Sequence, residues 1–227
     1  MKNCDAYQKN LGQRTGDGWC ALGVFATLMA LLLMQGAVYR STLPTPVLAS
    51  MNIVVPMLGI ALILAVVRYE RGAWGEWRLG ARWPLAVGCG AIVGLALALA
   101  LAGSFALAGA HVGLVAPSLA SGAILIICVI QEELIFRGYI ETRLYGLWHN
   151  GWICTTVTAV CFLLSHYPVR WVMQGAVDFS ALDGTHVVFI LLLHFGCSAV
   201  YRRSGCIWAA VALHFCYNLL SGMFVPI

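Results

Sequence analysis

Long apolar segments constrain this chain more than any other feature of its sequence. Seven of them cover residues 19–39, 45–67, 84–110, 117–145, 152–166, 185–201 and 206–225. Most approach the roughly 20 residues that an α-helix needs to cross about 30 Å of hydrocarbon. Because a segment in lipid must satisfy its own backbone hydrogen bonds, we expect an all-α fold. The prediction is a polytopic membrane bundle of about seven transmembrane helices, between six and eight.

Composition supports a membrane protein and limits its partners. Hydrophobic residues make up 61% of the chain and charged residues only 10%, whereas a soluble domain is about half apolar and a quarter charged. The formal net charge is +4, and no run of Lys and Arg indicates binding of nucleic acid. Nine cysteines include no C-x-x-C pair, so neither a disulfide scaffold nor a zinc-thiolate site is indicated. The lipid bilayer is the first predicted partner.

Basic residues fall mainly on one side of the predicted spans. Ten lie in the N-terminal tail, in the connections after the second and sixth segments and, as Arg143, at the turn from the fourth segment to the fifth, whereas Arg40 and Arg170 lie on the other side. Cytoplasmic loops carry the excess of Lys and Arg, so the N-terminus is predicted to be cytoplasmic. We divide the chain into a cytoplasmic tail at 1–18, N-terminal transmembrane helices at 19–116 and a core at 117–225. Together they form one membrane domain.

A glycine pair in the third segment concerns helix packing. Gly90 and Gly94 form a G-x-x-x-G pattern, which suits the close approach of two membrane helices. The alternative is that these glycines only reflect the frequency of glycine in membrane helices.

Two adjacent glutamates and an arginine, Glu132, Glu133 and Arg137, lie in the otherwise apolar stretch 126–138 of the fourth segment. Charges within a span are costly and are therefore often functional. Glu133 and Arg137 are four residues apart, so they can pair on one helix face. Glu132 is turned by about 100° from Glu133 and needs a different partner. The pattern predicts a supporting ion pair and one carboxylate available for chemistry, unless all three charges only stabilise helix packing.

Two later segments supply further polar groups. The fifth ends in Phe162-x-x-x-His166, and the seventh contains His214-x-x-x-Asn218. At a rise of 1.5 Å per residue, Glu132, His166 and His214 lie about 20, about 21 and about 12 Å from the predicted cytoplasmic surface. Three helices could therefore bring these groups and Asn218 to one polar cavity near the middle of the bilayer.

A carboxylate beside two imidazoles suits hydrolysis in two ways. Glu132 can act as a general base on water while histidine and amide groups hold an oxyanion. Alternatively, Glu132, His166 and His214 can bind a zinc ion that activates the water. The sequence contains neither H-E-x-x-H nor G-x-S-x-G. A proton- or cation-coupled transporter that uses the buried carboxylates is the second hypothesis, although the sequence shows no inverted repeat.

The three motifs, in this order and on separate helices, resemble those of the CAAX-protease and bacteriocin-processing (Abi) intramembrane proteases. The resemblance covers about residues 117–220 and includes the stretch from Tyr201 to Ala210. It implies that the core is a membrane-embedded protease acting on a membrane-anchored protein or peptide. A prenylated C-terminus, a leader peptide and a sorting tail all remain open as substrates. It also implies a multi-pass protein of the bacterial inner membrane.

The resemblance also implies a role for each motif residue. Glu132 would activate the water with assistance from His166, and His214 and Asn218 would stabilise the oxyanion. It further implies that Glu133 and Arg137 support the site, and we add Phe162 and His194 as predicted supporting residues. We favour the glutamic type without a cofactor, because one carboxylate is clearly free for chemistry. Zinc held by Glu132, His166 and His214 is the alternative.

His194 departs from the resemblance, since the family commonly has a small residue there. It lies in the sixth segment, about 11 Å from the predicted cytoplasmic surface. It is either a fourth wall of the cavity or a packed histidine bonded to a backbone carbonyl.

Overall fold

The structure is a computed structural model that describes residues 5–71, 83–109, 112–180 and 182–226. A π-helical segment, Leu134–Ile140, joins α5 to α6 without a break. The helices are α1 Asp5–Gln8, α2 Thr15–Tyr39, α3 Thr45–Arg71, α4 Trp83–Leu107, α5 Leu119–Glu133, α6 Glu141–Trp148, α7 Gly151–Leu164, α8 Pro168–Gln174, α9 Gly184–Ser204 and α10 Ile207–Ser221.

The predicted helical membrane bundle is confirmed. Within the described ranges, six helices are long and apolar enough to cross a membrane, counting α5–α6 and α7–α8 as one span each. The shorter apolar helix α10 corresponds to the seventh predicted segment. The predicted cytoplasmic N-terminus and the division at residues 18 and 116 stay predictions.

Two short strands at one end of the bundle were not predicted. Strand β1, Val112–Leu114, pairs antiparallel with β2, Phe224–Pro226. The seventh segment was expected to continue to residue 225, but its helix ends at Ser221 because the following residues enter this pair. The pair ties the chain before α5 to the chain after α10, so the helices that carry Glu132 and His214 are joined at this end.

The π-helical segment begins directly after the paired glutamates. All seven residues of Leu134–Ile140 are buried. Such wide turns are rare in α-helices and occur frequently at functional sites. The sequence predicted a single α-helical period here, which is wrong for these residues. The predicted pairing is nevertheless confirmed, with Nη1 of Arg137 2.8 Å from Oε1 of Glu133.

Helices α4 and α10 pack closely through the predicted glycine pair. Gly90 lies against the carbonyl of Ala209, and Gly94 lies against the carbonyl of Leu213. A Cβ atom at either glycine would overlap that carbonyl. The close approach predicted from G-x-x-x-G is therefore confirmed. Because His214 follows Leu213, α4 sets the position of a predicted site residue.

We expect Gly94→Ala to lower the free energy of unfolding by about 1–3 kcal/mol, the usual cost of overpacking. The new methyl group would push the Leu213 carbonyl and α10 away from α4. Thermal unfolding in detergent measures the effect. Gly88→Ala is the matched control, since a Cβ at Gly88 meets nothing within 4 Å. Equal stability of the two variants would contradict the packing role.

Part of the predicted tail packs onto the helix bundle. Tyr7 is 1% exposed, its hydroxyl donates to Oε1 of Glu141 at 3.5 Å, and its ring meets the edge of Tyr201. Burial and the Glu141 carboxylate raise the pKa of Tyr7 well above its ordinary value, so its hydroxyl stays a donor. The amide of Gly12 donates to the carbonyl of Thr142 at 2.8 Å. Residues before α2 thus cover the ends of α6 and α9.

Candidate active site

The imidazole of His214 lies between two neighbouring carboxylates of α5. Its Nδ1 is 2.7 Å from Oε1 of Glu133, and its Nε2 is 3.7 Å from Oε2 of Glu132. Glu133 is fully buried, whereas the Glu132 side chain is 29% exposed. Glu133 therefore anchors the ring, and Glu132 is the carboxylate that other molecules can reach.

A buried ion pair supports this arrangement from behind. Glu133 and Arg137 are both inaccessible to solvent, and their 2.8 Å contact compensates two charges that would otherwise be costly in hydrocarbon. The Arg137 guanidinium carbon also lies 4.4 Å from the centre of the Phe162 ring, which adds a cation–π attraction. Glu133 thus stays available as an acceptor for His214.

The Phe162 ring is the packing centre of the site. It is fully buried, and its centroid lies 5.0 Å from that of His166 and 6.0 Å from that of His214. Phe136 and His194 approach the same ring at 5.0 and 5.5 Å. Phe162 thereby fixes the separation of the two motif histidines.

His166 and Glu132 share one small cavity. Nδ1 of His166 lies 2.8 Å from the carbonyl oxygen of Phe162. A carbonyl only accepts hydrogen bonds, so Nδ1 carries the proton and Nε2 of the neutral ring is an acceptor. The cavity measures about 50 Å³, enough for one or two water molecules. It is lined by Leu28, Leu32, Gln131, Glu132, Phe136, Ser165 and His166.

The other predicted site residues lie outside this cavity lining. His214 reaches the cavity only through its contact with Glu132. Asn218 is half-buried one helical turn after His214, and its side chain makes no hydrogen bond with a described residue. His194 is fully buried, with Nε2 3.5 Å from the hydroxyl of Ser198. The roles predicted for these residues remain predictions.

Gln131 was missed by the sequence reasoning. It is buried, lines the cavity beside Glu132, and its amide group lies against Gly59 of α3. The sequence could have indicated Gln131, because a polar residue within an apolar membrane segment needs a polar partner.

A second buried ion pair was also missed. Oε1 of Glu141 accepts hydrogen bonds from Nε of Arg202 and from the hydroxyl of Thr155, each at 2.9 Å. Oε2 of Glu141 accepts from Ser198 at 2.6 Å. The sequence could have indicated this pair, because Glu141 is a charged residue inside a predicted span and needs a partner there. Because both carboxylate oxygens are engaged, this cluster stabilises the fold and does not offer a free base.

The donor groups of the site do not fit a catalytic metal ion. Among the described residues, three donor atoms lie within 4.8 Å of one another only in the set Glu133, Cys197 and His214. The predicted zinc ligands, Glu132, His166 and His214, do not form such a set. The set that does converge is buried, whereas a catalytic zinc needs an open position. Its Glu133 oxygen already binds the cationic Arg137, which opposes a second positive charge.

The C-terminal part of the chain is similar to a known protein family. Residues 112–220 match the family model described as "Type II CAAX prenyl endopeptidase Rce1-like". The match runs from β1 into α10 and includes all three motifs. No curated protein matches the chain, and no solved structure does.

Proposed function

Because residues 112–220 belong to the Rce1-like family of type II CAAX prenyl endopeptidases, which are membrane proteases, we propose that the chain hydrolyses a peptide bond of a membrane-anchored protein or peptide. One observation carries the chemistry of this proposal. Glu132, the more accessible member of the glutamate pair, lines a water-sized cavity together with His166, whose Nε2 is an acceptor.

The first step is attack by a water molecule held between Glu132 and His166. The Glu132 carboxylate accepts a proton as the water oxygen bonds to the scissile carbonyl carbon. His166 accepts the second hydrogen bond of this water and orients it. The carbonyl π electrons move to oxygen, which becomes the oxyanion of a tetrahedral intermediate.

The second step is collapse of that intermediate. His214 in its imidazolium form donates through Nδ1 to Glu133, which leaves Nε2–H for the oxyanion, and the Asn218 amide is the second donor. Donors of this kind are each worth about 10²–10³ in rate. As the C–N bond breaks, the proton on Glu132 passes to the leaving nitrogen and the carboxylate is regenerated.

The supporting residues hold His214 and His166 in place. Glu133 binds Nδ1 of His214, Arg137 neutralises Glu133, and Phe162 packs between the two rings. The mechanism is of the glutamic type, without a metal ion, which is supported by the poor fit of the donor groups described above. The proposed location is the inner membrane of a bacterium, with the N-terminus in the cytoplasm.

The test is cleavage of defined peptides by the purified full chain in detergent and in liposomes. Three substrates separate the classes: a prenylated C-terminal peptide, a leader peptide and a membrane-anchored sorting tail. We expect cleavage of one class that persists in the presence of a chelator. Loss of cleavage on chelation, restored by zinc, would contradict the glutamic mechanism. Proton flux across liposomes without any cleaved peptide would contradict the protease itself.

A further inference from the structure

Two grooves flank the last turns of α9 on the outer surface of the bundle. One, of about 490 Å³, lies between α7 and α9. The other, of about 460 Å³, lies between α4 and α9. Arg203 lines both grooves and is exposed. Arg203 is therefore the cationic side chain that the two grooves share.

The groove between α4 and α9 is largely apolar. Leu85, Val93 and Val200 contribute to its lining, and Leu85 is 70% exposed. Exposed aliphatic side chains outside the bundle core are typical of helix surfaces that face lipid, so this part of α4 faces lipid. This groove offers an alkyl chain a site beside the Arg203 stem.

The groove between α7 and α9 combines aromatic and polar residues. Trp152 and Phe195 supply exposed apolar surface. Its hydroxyl groups, from Thr155 and Ser198, donate to the buried Glu141. The charge of the adjacent Arg202 is offset by Glu141 in the same way. These hydroxyl groups are thus engaged internally, and Trp152 and Phe195 give the groove its apolar surface.

The height of Arg203 in the bilayer follows from the helix ends around it. Helix α9 ends at Ser204, and α4 and α7 begin at the same end of the bundle. The basic residues predict this end to be cytoplasmic. Trp152 is 67% exposed there, as is typical of aromatic residues at the membrane interface. Arg203 therefore lies at the level of the lipid headgroups.

We propose that Arg203 binds the phosphate of an anionic diacyl phospholipid whose two acyl chains occupy the two grooves. A cation at headgroup level between membrane helices is the common feature of such sites. A free phosphate would use the charge but not the grooves, and a neutral lipid would use the grooves but not the charge. The bound lipid would brace α4, α7 and α9 against one another, independently of the proposed protease activity.

Lipid titration of the detergent-solubilised full chain, followed by native mass spectrometry, tests the charge. Phosphatidylglycerol and phosphatidylcholine with identical chains are the probes. We expect about fivefold tighter binding of phosphatidylglycerol, the factor equivalent to about 1 kcal/mol for one basic side chain near anionic lipid. Arg203→Gln should abolish the preference for phosphatidylglycerol. Arg68→Gln is the control and should keep this preference, because Arg68 is an exposed residue of α3 outside both grooves.

Further variants and competitors test the two grooves. Ala86→Trp fills the groove beside α4 and Ala199→Trp fills the groove beside α7, and each should weaken phosphatidylglycerol binding. Thermal unfolding of each variant serves as the control for folding. Equal binding of both lipids, or identical behaviour of Arg203→Gln and Arg68→Gln, would overturn the proposal. So would displacement by equimolar inorganic phosphate, or undiminished binding of the single-chain lysophospholipid.

Discussion

Glu132→Gln is expected to lower kcat/KM for peptide cleavage by about 10²–10⁴-fold, the usual contribution of a general base. The amide has nearly the same shape as the carboxylate but cannot take the proton from water. Glu132 is partly exposed and does not pair with Arg137, so the variant should fold. Peptide cleavage and thermal unfolding, measured on the same preparation, separate the two effects.

Glu133→Gln, at the adjacent residue, is the comparison variant that separates a catalytic effect from a structural one. It removes the negative charge that compensates Arg137 and leaves His214 a neutral amide oxygen in place of a carboxylate, so it should lower stability as well as activity. Glu132→Gln should lower activity alone. Full cleavage activity in a folded Glu132→Gln protein would exclude this residue as the base.

Arg202→Leu is expected to reduce the free energy of unfolding by about 3–5 kcal/mol, the typical result of removing one member of a buried ion pair. The Glu141 carboxylate, fully buried, would keep only its hydroxyl donors and lose its compensating charge. Unfolding in detergent, followed by intrinsic fluorescence, measures this loss.

A double variant shows whether the uncompensated charge is the cause. Glu141→Leu with Arg202→Leu removes both charges, and apolar replacement of a whole buried pair is often close to neutral. We expect the double variant to be more stable than Arg202→Leu alone. If the double variant were the less stable of the two, the loss would come from packing and not from the buried charge.

Local patterns in the sequence predicted the parts of the fold that depend on near neighbours. The spans follow from runs of apolar residues, and the Glu133–Arg137 pair follows from a spacing of four. A close approach of α4 to another helix follows from Gly90 and Gly94, although its partner α10 does not. The pair of Glu141 with Arg202 joins residues 61 positions apart, and no local period encodes such a partner.

The geometry of the site was only partly predictable for a related reason. The depths predicted for Glu132 and His214 differed by about 8 Å for untilted helices, yet the two side chains lie 3.7 Å apart. Such depths hold only for helices that start at one level and run straight. The π-helical turn after Glu133 and the strand pair that ties α10 to the chain before α5 depend on tertiary contacts.

The contacts of the residues before α2 have a consequence for the order of assembly during synthesis. Tyr7 binds Glu141, which is added 134 residues later, and Asn10 binds Tyr201, which is added 191 residues later. At 5–20 residues per second, the second partner arrives roughly 10–40 s after Asn10. The residues before α2 are thus made well before the partners that they contact, and the bundle stays uncovered at this end until α9 has been made.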